Sequence, residues 1–218
     1  MNPMTEKQLE RMLKNLTGRS SATPAERPRI TAGADLERAV EGVLARAEKD
    51  GLVDVAYTEI DSPFGKMLLA GSERGILRVA FPHRNWDQLL EQIAERISPR
   101  VLEAPERLDE PRRQLDEYFE GKRRDFDLPL DWRLTRGFQN RAQHAIARIP
   151  YGETRNYSWI AEKAGNPRAF RAAGTACGAN PLPPIVPCHR VVPAGGGIGS
   201  YGGGPEMKRA LLELEGVL

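Results

Sequence analysis

Strand-period hydrophobicity is concentrated in one stretch of this chain, residues 53–81, and that concentration bounds the fold more tightly than any other feature. Apolar side chains alternate or run together over 53–60, 67–70 and 76–81, with Asp61-Ser62-Pro63-Phe64-Gly65 supplying one turn and Gly75 marking the next. Three strands joined so closely predict an antiparallel meander. Helical spacing takes over at 86–97 and 111–119, with 125–130 as a connecting strand or extended segment, and these elements complete a small α+β unit. Beyond it the pattern is almost wholly helical, over 138–149, 157–164, 167–177 and 205–214. Only Gly165-Asn166 separates the middle two, which predicts a helix-turn-helix whose second helix carries Arg168 and Arg171. The fold class is therefore α+β: a small sheet-bearing domain over 51–132, then a mainly helical domain over 133–218.

Residues 1–50 read as a helical extension. Thr5 caps the first helix, Leu9, Met12, Leu13 and Leu16 share a face, and Gly18 ends it. Asp35 opens the second, with Leu36, Val40, Val43, Leu44 and Ala47 on one stripe and Gly51 at its close. Both stripes need an apolar partner, either the main body or an unknown protein. No apolar run approaches a signal sequence or a membrane span, so cytoplasmic residence without membrane contact is expected. The two cysteines, Cys177 and Cys188, make no disulfide framework and suit a reducing compartment. His83, His144 and His189 are scattered, so no bound metal is expected. The net charge of +2 says little about partners. Its distribution says more, because residues 154–200 hold Arg155, Lys163, Arg168, Arg171 and Arg190 against Glu162 alone, the makings of a phosphate-facing surface.

Nucleophilic chemistry concentrates at Pro187-Cys188-His189-Arg190-Val191, where a thiol adjoins an imidazole inside the apolar run 185–192. An ordinary thiol, with a pKa of about 8.5, is only a few per cent thiolate at neutral pH, and a nearby base raises that fraction. His189 is the candidate base. In a regular extended segment consecutive side chains point to opposite faces, so the pair needs a bent backbone or a water relay. Glu215 ends the last predicted helix, where the macrodipole disfavours a carboxylate, and that misplacement favours a specific partner for it.

Gly165-Asn166-Pro167, Arg171, Gly174, Asn180-Pro181, the run from Pro187 to Val192, Gly199, Tyr201, Lys208, Leu211-Leu212 and Glu215-Gly216 together resemble the O6-alkylguanine-DNA alkyltransferases, also called methylated-DNA–protein-cysteine methyltransferases. The likeness is specific over 133–218, a matter of pattern over 53–132, and absent from 1–50. It implies a ribonuclease-H-like first domain, a winged helix-turn-helix-like second domain, and alkylated double-stranded DNA as the partner. The implied reaction is an irreversible, stoichiometric transfer of an alkyl group from guanine O6, with thymine O4 as a further target, to Cys188. No cofactor is implied. The target nucleotide must be flipped out of the duplex, at about a few kcal/mol.

By the same resemblance Glu215 polarises His189, which draws a proton from Cys188 through a water. Tyr157 turns the nucleotide and protonates the leaving guanine, and Arg171 fills the vacated stack; Arg168 is expected on the DNA from its place on the same predicted helix. Asn180 ties the recognition helix to the cysteine segment. Tyr201, with backbone groups near Cys188 and Val191, lines a guanine pocket walled by 195–204. Two positions depart from the family pattern: Gly202 stands where many members have serine, and Gln143 where many have tryptophan.

A DNA-binding damage sensor without chemistry is the rival of another class, and Cys188 discriminates, because such relatives lack the thiol. A papain-like hydrolase is weaker, since it needs a histidine far downstream of its nucleophile and none follows His189.

Overall fold

The computed structural model describes residues 51–218 together with Gly42 and Arg46, which are helical and exposed. The two helices expected within 1–50 otherwise lie outside the described residues. From residue 51 onward the chain belongs to a single compact unit.

The meander forms as expected from β1 (Val55–Ile60), β2 (Met67–Ser72) and β3 (Gly75–Ala80). The sheet is nevertheless mixed. After α1 (Trp86–Arg96), a short strand β4 (Val101–Glu103) joins the β1 edge in parallel, giving the order β3-β2-β1-β4. Three residues are too few to display a period, which is why β4 is absent from the sequence expectations. Both faces of the sheet are covered, so the central β2 reads as one apolar run. Ala56, Ile60, Met67, Leu69 and Val79 join the main core, while Val55, Ala70 and Leu77 pack with Ile93 of α1. Asn85 caps α1, its side chain accepting from the Gln88 N–H at 3.1 Å.

The next helix, α2 (Asp109–Phe119), starts ahead of Pro111 because a helix tolerates proline in its first turn; it sends Leu115 and Tyr118 into the main core. The segment 125–130 meets the sheet only at the bridge from Leu130 to Ile76, where the Ile76 N–H donates to the Pro129 carbonyl at 2.8 Å. Gly75 makes this docking possible. Its φ is +126°, and a Cβ there would lie 2.1 Å from the Pro129 carbonyl oxygen.

The second half contains α3 (Gly137–Ile146), β5 (Arg155–Asn156), α4 (Tyr157–Lys163), α5 (Phe170–Gly178), β6 (Val191–Val192) and α6 (Pro205–Leu214). Helices α3, α4 and α5 pack together through Ala142, Ile146, Ile160, Ala173 and Ala176. Asn156 caps α4, and α4 ends where Gly165 takes φ +82° and the Asn166 N–H reaches the Ala161 carbonyl at 2.9 Å. Asn166-Pro167 then forms a turn closed by the Ala169 N–H on the Asn166 carbonyl, which delays α5 to Phe170. Arg168 consequently stands in the turn and not on the helix. β5 and β6 pair in parallel, Arg155 with Val191, which lays the cysteine segment beside the start of α4. One core runs through both halves and contains Met67, Tyr118, Ile146, Val186 and Leu211. Among the described residues no helix is long and apolar enough to cross a membrane.

Candidate active site

Residues 181–190 are buried throughout. Cys188–Arg190 form one 3-10 turn instead of an extended run, closed by the Arg190 N–H on the Pro187 carbonyl at 3.0 Å. Tertiary packing of Leu182, Ile185 and Val186 carries this turn into the interior, and the bend lets Cys188, His189 and Arg190 all be buried together.

Glu215 organises the turn. It caps the C-terminus of α6 at 5% exposure and accepts hydrogen bonds from His189 Nε2 (2.8 Å), the Tyr118 hydroxyl (2.7 Å), Arg190 Nε (2.8 Å) and Arg190 Nη2 (2.9 Å). A buried guanidinium thus offsets the unfavourable helix end. Burial alone would raise the Glu215 carboxyl, but the bonds from His189 and Arg190 outweigh it and hold the group at about 2. An ionised carboxylate only accepts, so His189 Nε2 carries the ring proton. Burial, opposed by Glu215, keeps the imidazole below its ordinary value, so the ring is neutral at pH 7. Its Nδ1 therefore presents a lone pair, buried and without a partner among the described residues.

The Cys188 sulfur, in a residue 5% exposed, receives the Asn180 amide at 3.0 Å. That amide also donates to the Val186 carbonyl at 2.7 Å, while Asn180 Oδ1 accepts from the Leu182 N–H at 3.0 Å. Lying just past α5, Asn180 links the helix-turn-helix to the cysteine turn. Burial pushes the Cys188 thiol up to about 11, against the pull of Asn180 and Lys208, so it rests protonated and needs a base to react. Cys177 is pushed up to about 12, chiefly by burial. Cys177 and Cys188 line a narrow cavity of about 30 Å3 with Asn180, Pro183, Phe81 and Gly202, room enough for a water.

The remaining expected residues spread around this centre. Tyr201 packs edge-on to His189 (6.3 Å between centroids) and Phe81 (5.5 Å), with its hydroxyl buried and unpartnered among the described residues. The Val191 carbonyl accepts from Lys208 Nζ at 2.6 Å and its N–H bonds the Cys188 carbonyl, so both of its backbone groups are engaged within the protein. Lys208 is fully buried and also reaches the Ser200 carbonyl at 3.4 Å, holding the glycine-rich loop to the cysteine segment. Tyr157 begins α4 half-buried, and burial followed by the charges Cys177 and Cys188 would carry raises its hydroxyl, which is thus protonated. Arg171 is exposed in the first turn of α5, its guanidinium 5.8 Å from the Phe170 ring, and Arg168 is exposed in the preceding turn. A Cβ on Gly202 would make only an ordinary 3.5 Å contact with Phe81, so a small side chain would fit there without a clash. Gln143 is buried and donates to the Ala176 carbonyl of α5 at 2.6 Å, tying α3 to α5.

Arg190 requires a correction. Counted by charge it belongs to a phosphate-facing surface, yet it is 5% exposed, bound to Glu215, and donates through Nη1 to the Ile149 carbonyl at 2.5 Å. Tyr118 is the second surprise. It comes from α2 in the sheet-bearing half, and no local signal could reveal a partner 97 residues away. Its hydroxyl also lies 3.4 Å from His189 Nε2. Tyr118→Phe should cost roughly 2 kcal/mol of stability, the worth of one hydrogen bond to a buried charge, measurable as a lower urea midpoint at unchanged slope. An unchanged midpoint would mean the hydroxyl is incidental.

Comparison with known proteins places these features in context. Residues 55–132 match the family model of the 6-O-methylguanine DNA methyltransferase ribonuclease-like domain, and residues 137–217 that of the 6-O-methylguanine DNA methyltransferase DNA binding domain. A methylated-DNA–protein-cysteine methyltransferase of Mycobacterium bovis is 44% identical over 161 residues, covering 74% of this chain and 92% of the relative. The constitutive methylated-DNA–protein-cysteine methyltransferase of Bacillus subtilis is 38% identical over 163 residues, 73% of this chain and 94% of the relative. The crystal structure of Mycobacterium tuberculosis OGT in complex with DNA superposes with a TM-score of 0.63 at 41% identity, covering 73% of this chain and 92% of that one.

Proposed function

The chain belongs to the methylated-DNA–protein-cysteine methyltransferases, a family of DNA-repair proteins, and from that premise we propose that Cys188 is its acceptor and His189, Glu215 and Tyr157 its catalytic machinery. The observation that carries the assignment is the buried Cys188 thiol one residue from a neutral His189, whose Nε2 proton is held by the ionised Glu215 and whose Nδ1 is bare. His189 Nδ1 takes the Cys188 proton, through a water, as the sulfur attacks the alkyl carbon. The S–C bond forms and the C–O6 bond breaks, the electron pair passing to guanine. Tyr157 gives guanine a proton and recovers one from the imidazolium or solvent. The thioether is a poor leaving group, so each chain reacts once.

The base reaches Cys188 only when flipped from the duplex. Arg171, exposed at the start of α5 in the helix-turn-helix, is assigned to fill the vacated stack, with Arg168 on the adjoining backbone and Asn180 linking that helix to the thiol. Tyr201 and the backbone at Val191 bound the guanine pocket. Arg171→Ala should slow repair of O6-methylguanine in duplex DNA by roughly tenfold or more, while reaction with free O6-benzylguanine, which needs no flipping, stays within about twofold. Equal losses on both substrates would remove the assignment.

Residues 51–132 and 133–218 are assigned as two domains and 1–50 as an extension. The matches to family models at 55–132 and 137–217 support the first division. A free nucleophilic thiol that must stay reduced supports a cytoplasmic location.

A further inference from the structure

Four arginines, Arg78 on β3, Arg84 in the loop before α1, Arg96 in the last turn of α1 and Arg136 ahead of α3, line one groove of about 480 Å3 between α1 and the segment 179–181. No acidic side chain lines it. None of the four makes an ion pair or a side-chain hydrogen bond among the described residues, and the Nε of Arg78 is buried without a partner. Burial, then the like charges of Arg84 and Arg96, hold the Arg78 guanidinium down to about 10. Clustered guanidiniums without a counter-charge repel one another, and an anion in the groove would relieve that repulsion.

The groove is continuous with the reactive centre. Arg78, Arg84, Leu89 and Asn180 line both it and the narrow cavity that holds the Cys188 thiol. A nucleotide whose base sits at Cys188 has its own strand running past this opening. We propose that the groove receives the phosphodiester backbone of the lesion-bearing strand beyond the helix-turn-helix, so that the sheet-bearing half contributes directly to DNA binding. The inference rests on DNA being the substrate, and it extends the footprint from α5 across to α1. Arg84, Arg96 and Arg136 are exposed and free to meet phosphates, and bidentate guanidinium contacts suit them.

The test uses the full chain carrying Arg96→Gln and Arg136→Gln together, two outer positions remote from the catalytic machinery. Binding of an undamaged labelled duplex is titrated across a KCl series. The slope of log K against log salt should fall by roughly 1.8, about 0.9 for each lost phosphate contact, with roughly sixtyfold weaker binding near 0.1 M salt. Reaction with free O6-benzylguanine should stay unchanged, showing an intact thiol site. A control pair outside the groove, Arg148→Gln with Arg209→Gln, both exposed, should alter the slope much less. An unaltered slope in the groove variant, or equal losses in both pairs, overturns the proposal. Should the unsubstituted protein fail to accept a methyl group at Cys188, the functional assignment falls instead, while the salt series still decides the groove.

Discussion

Cys188→Ser is expected to abolish alkyl transfer, by at least about a thousandfold, while leaving binding to undamaged DNA intact. The thiol is already held above its ordinary value by burial, so the proposed reaction needs a base to draw its proton away during attack, the role assigned to His189. A serine hydroxyl is far less acidic than a thiol, and a neutral imidazole cannot ionise it to a useful extent. The sulfur also sits where Asn180 donates to it at 3.0 Å, a contact that oxygen can accept equally well, so the fold should survive the exchange. Mass spectrometry of the unsubstituted protein after incubation with O6-methylguanine DNA should show one added methyl group, on the peptide containing Cys188. Label on Cys177, which shares the cavity and is pushed up to about 12, or repeated turnover by one chain, would refute the assignment.

Glu215→Gln should damage both rate and stability, and for separable reasons. A neutral amide leaves the Arg190 charge uncompensated in the interior, at a cost of roughly 3–5 kcal/mol, or a melting point lower by roughly 10 °C. It also frees the imidazole from the tautomer with the proton on Nε2, so transfer should slow by about a hundredfold on duplex DNA and on free O6-benzylguanine alike. Acid titration offers an independent readout. The Glu215 carboxyl lies at about 2 in the folded protein, below its unfolded value near 4.5, so the stability it contributes is complete above that unfolded value and is lost as the pH falls toward 2. Glu215→Gln carries no such group and should lose less stability than the parent between about pH 5 and 3. The rate has its own signature. Because burial holds His189 below its ordinary value, transfer should stay level as the pH falls through 6.5 and decline only below it. A variant as stable and as fast as the parent would show that the buried cluster is dispensable.

Local pattern was enough to locate most elements. The pattern in 53–81 yields β1 to β3 because a half-covered strand alternates with period two and a strand covered on both faces reads as a short apolar run, and the bounds of α6 emerge from Pro205 and the stripe that follows it. The candidate reactive residues were legible for a different reason: a thiol beside an imidazole, followed by a carboxylate at an unfavourable helix end, is chemistry written in residue types. Local pattern failed wherever distant segments meet. Strand β4 is too short to carry a period and exists because β1 offers it an open edge. The start of α5 is postponed by hydrogen bonds of the Asn166-Pro167 turn, moving Arg168 off the helix. Composition counts Arg190 as a surface cation, whereas packing buries it against Glu215, and nothing near Tyr118 announces that its hydroxyl will meet the same carboxylate. The groove of four arginines is likewise assembled from positions scattered over 78–136. Sequence by itself determined which residues can do chemistry and which segments can become helix or strand, because these depend on side-chain type and short-range period. Only the tertiary structure decided which charges are buried and which proton His189 carries, because those depend on burial and on partners that the chain brings together from far apart.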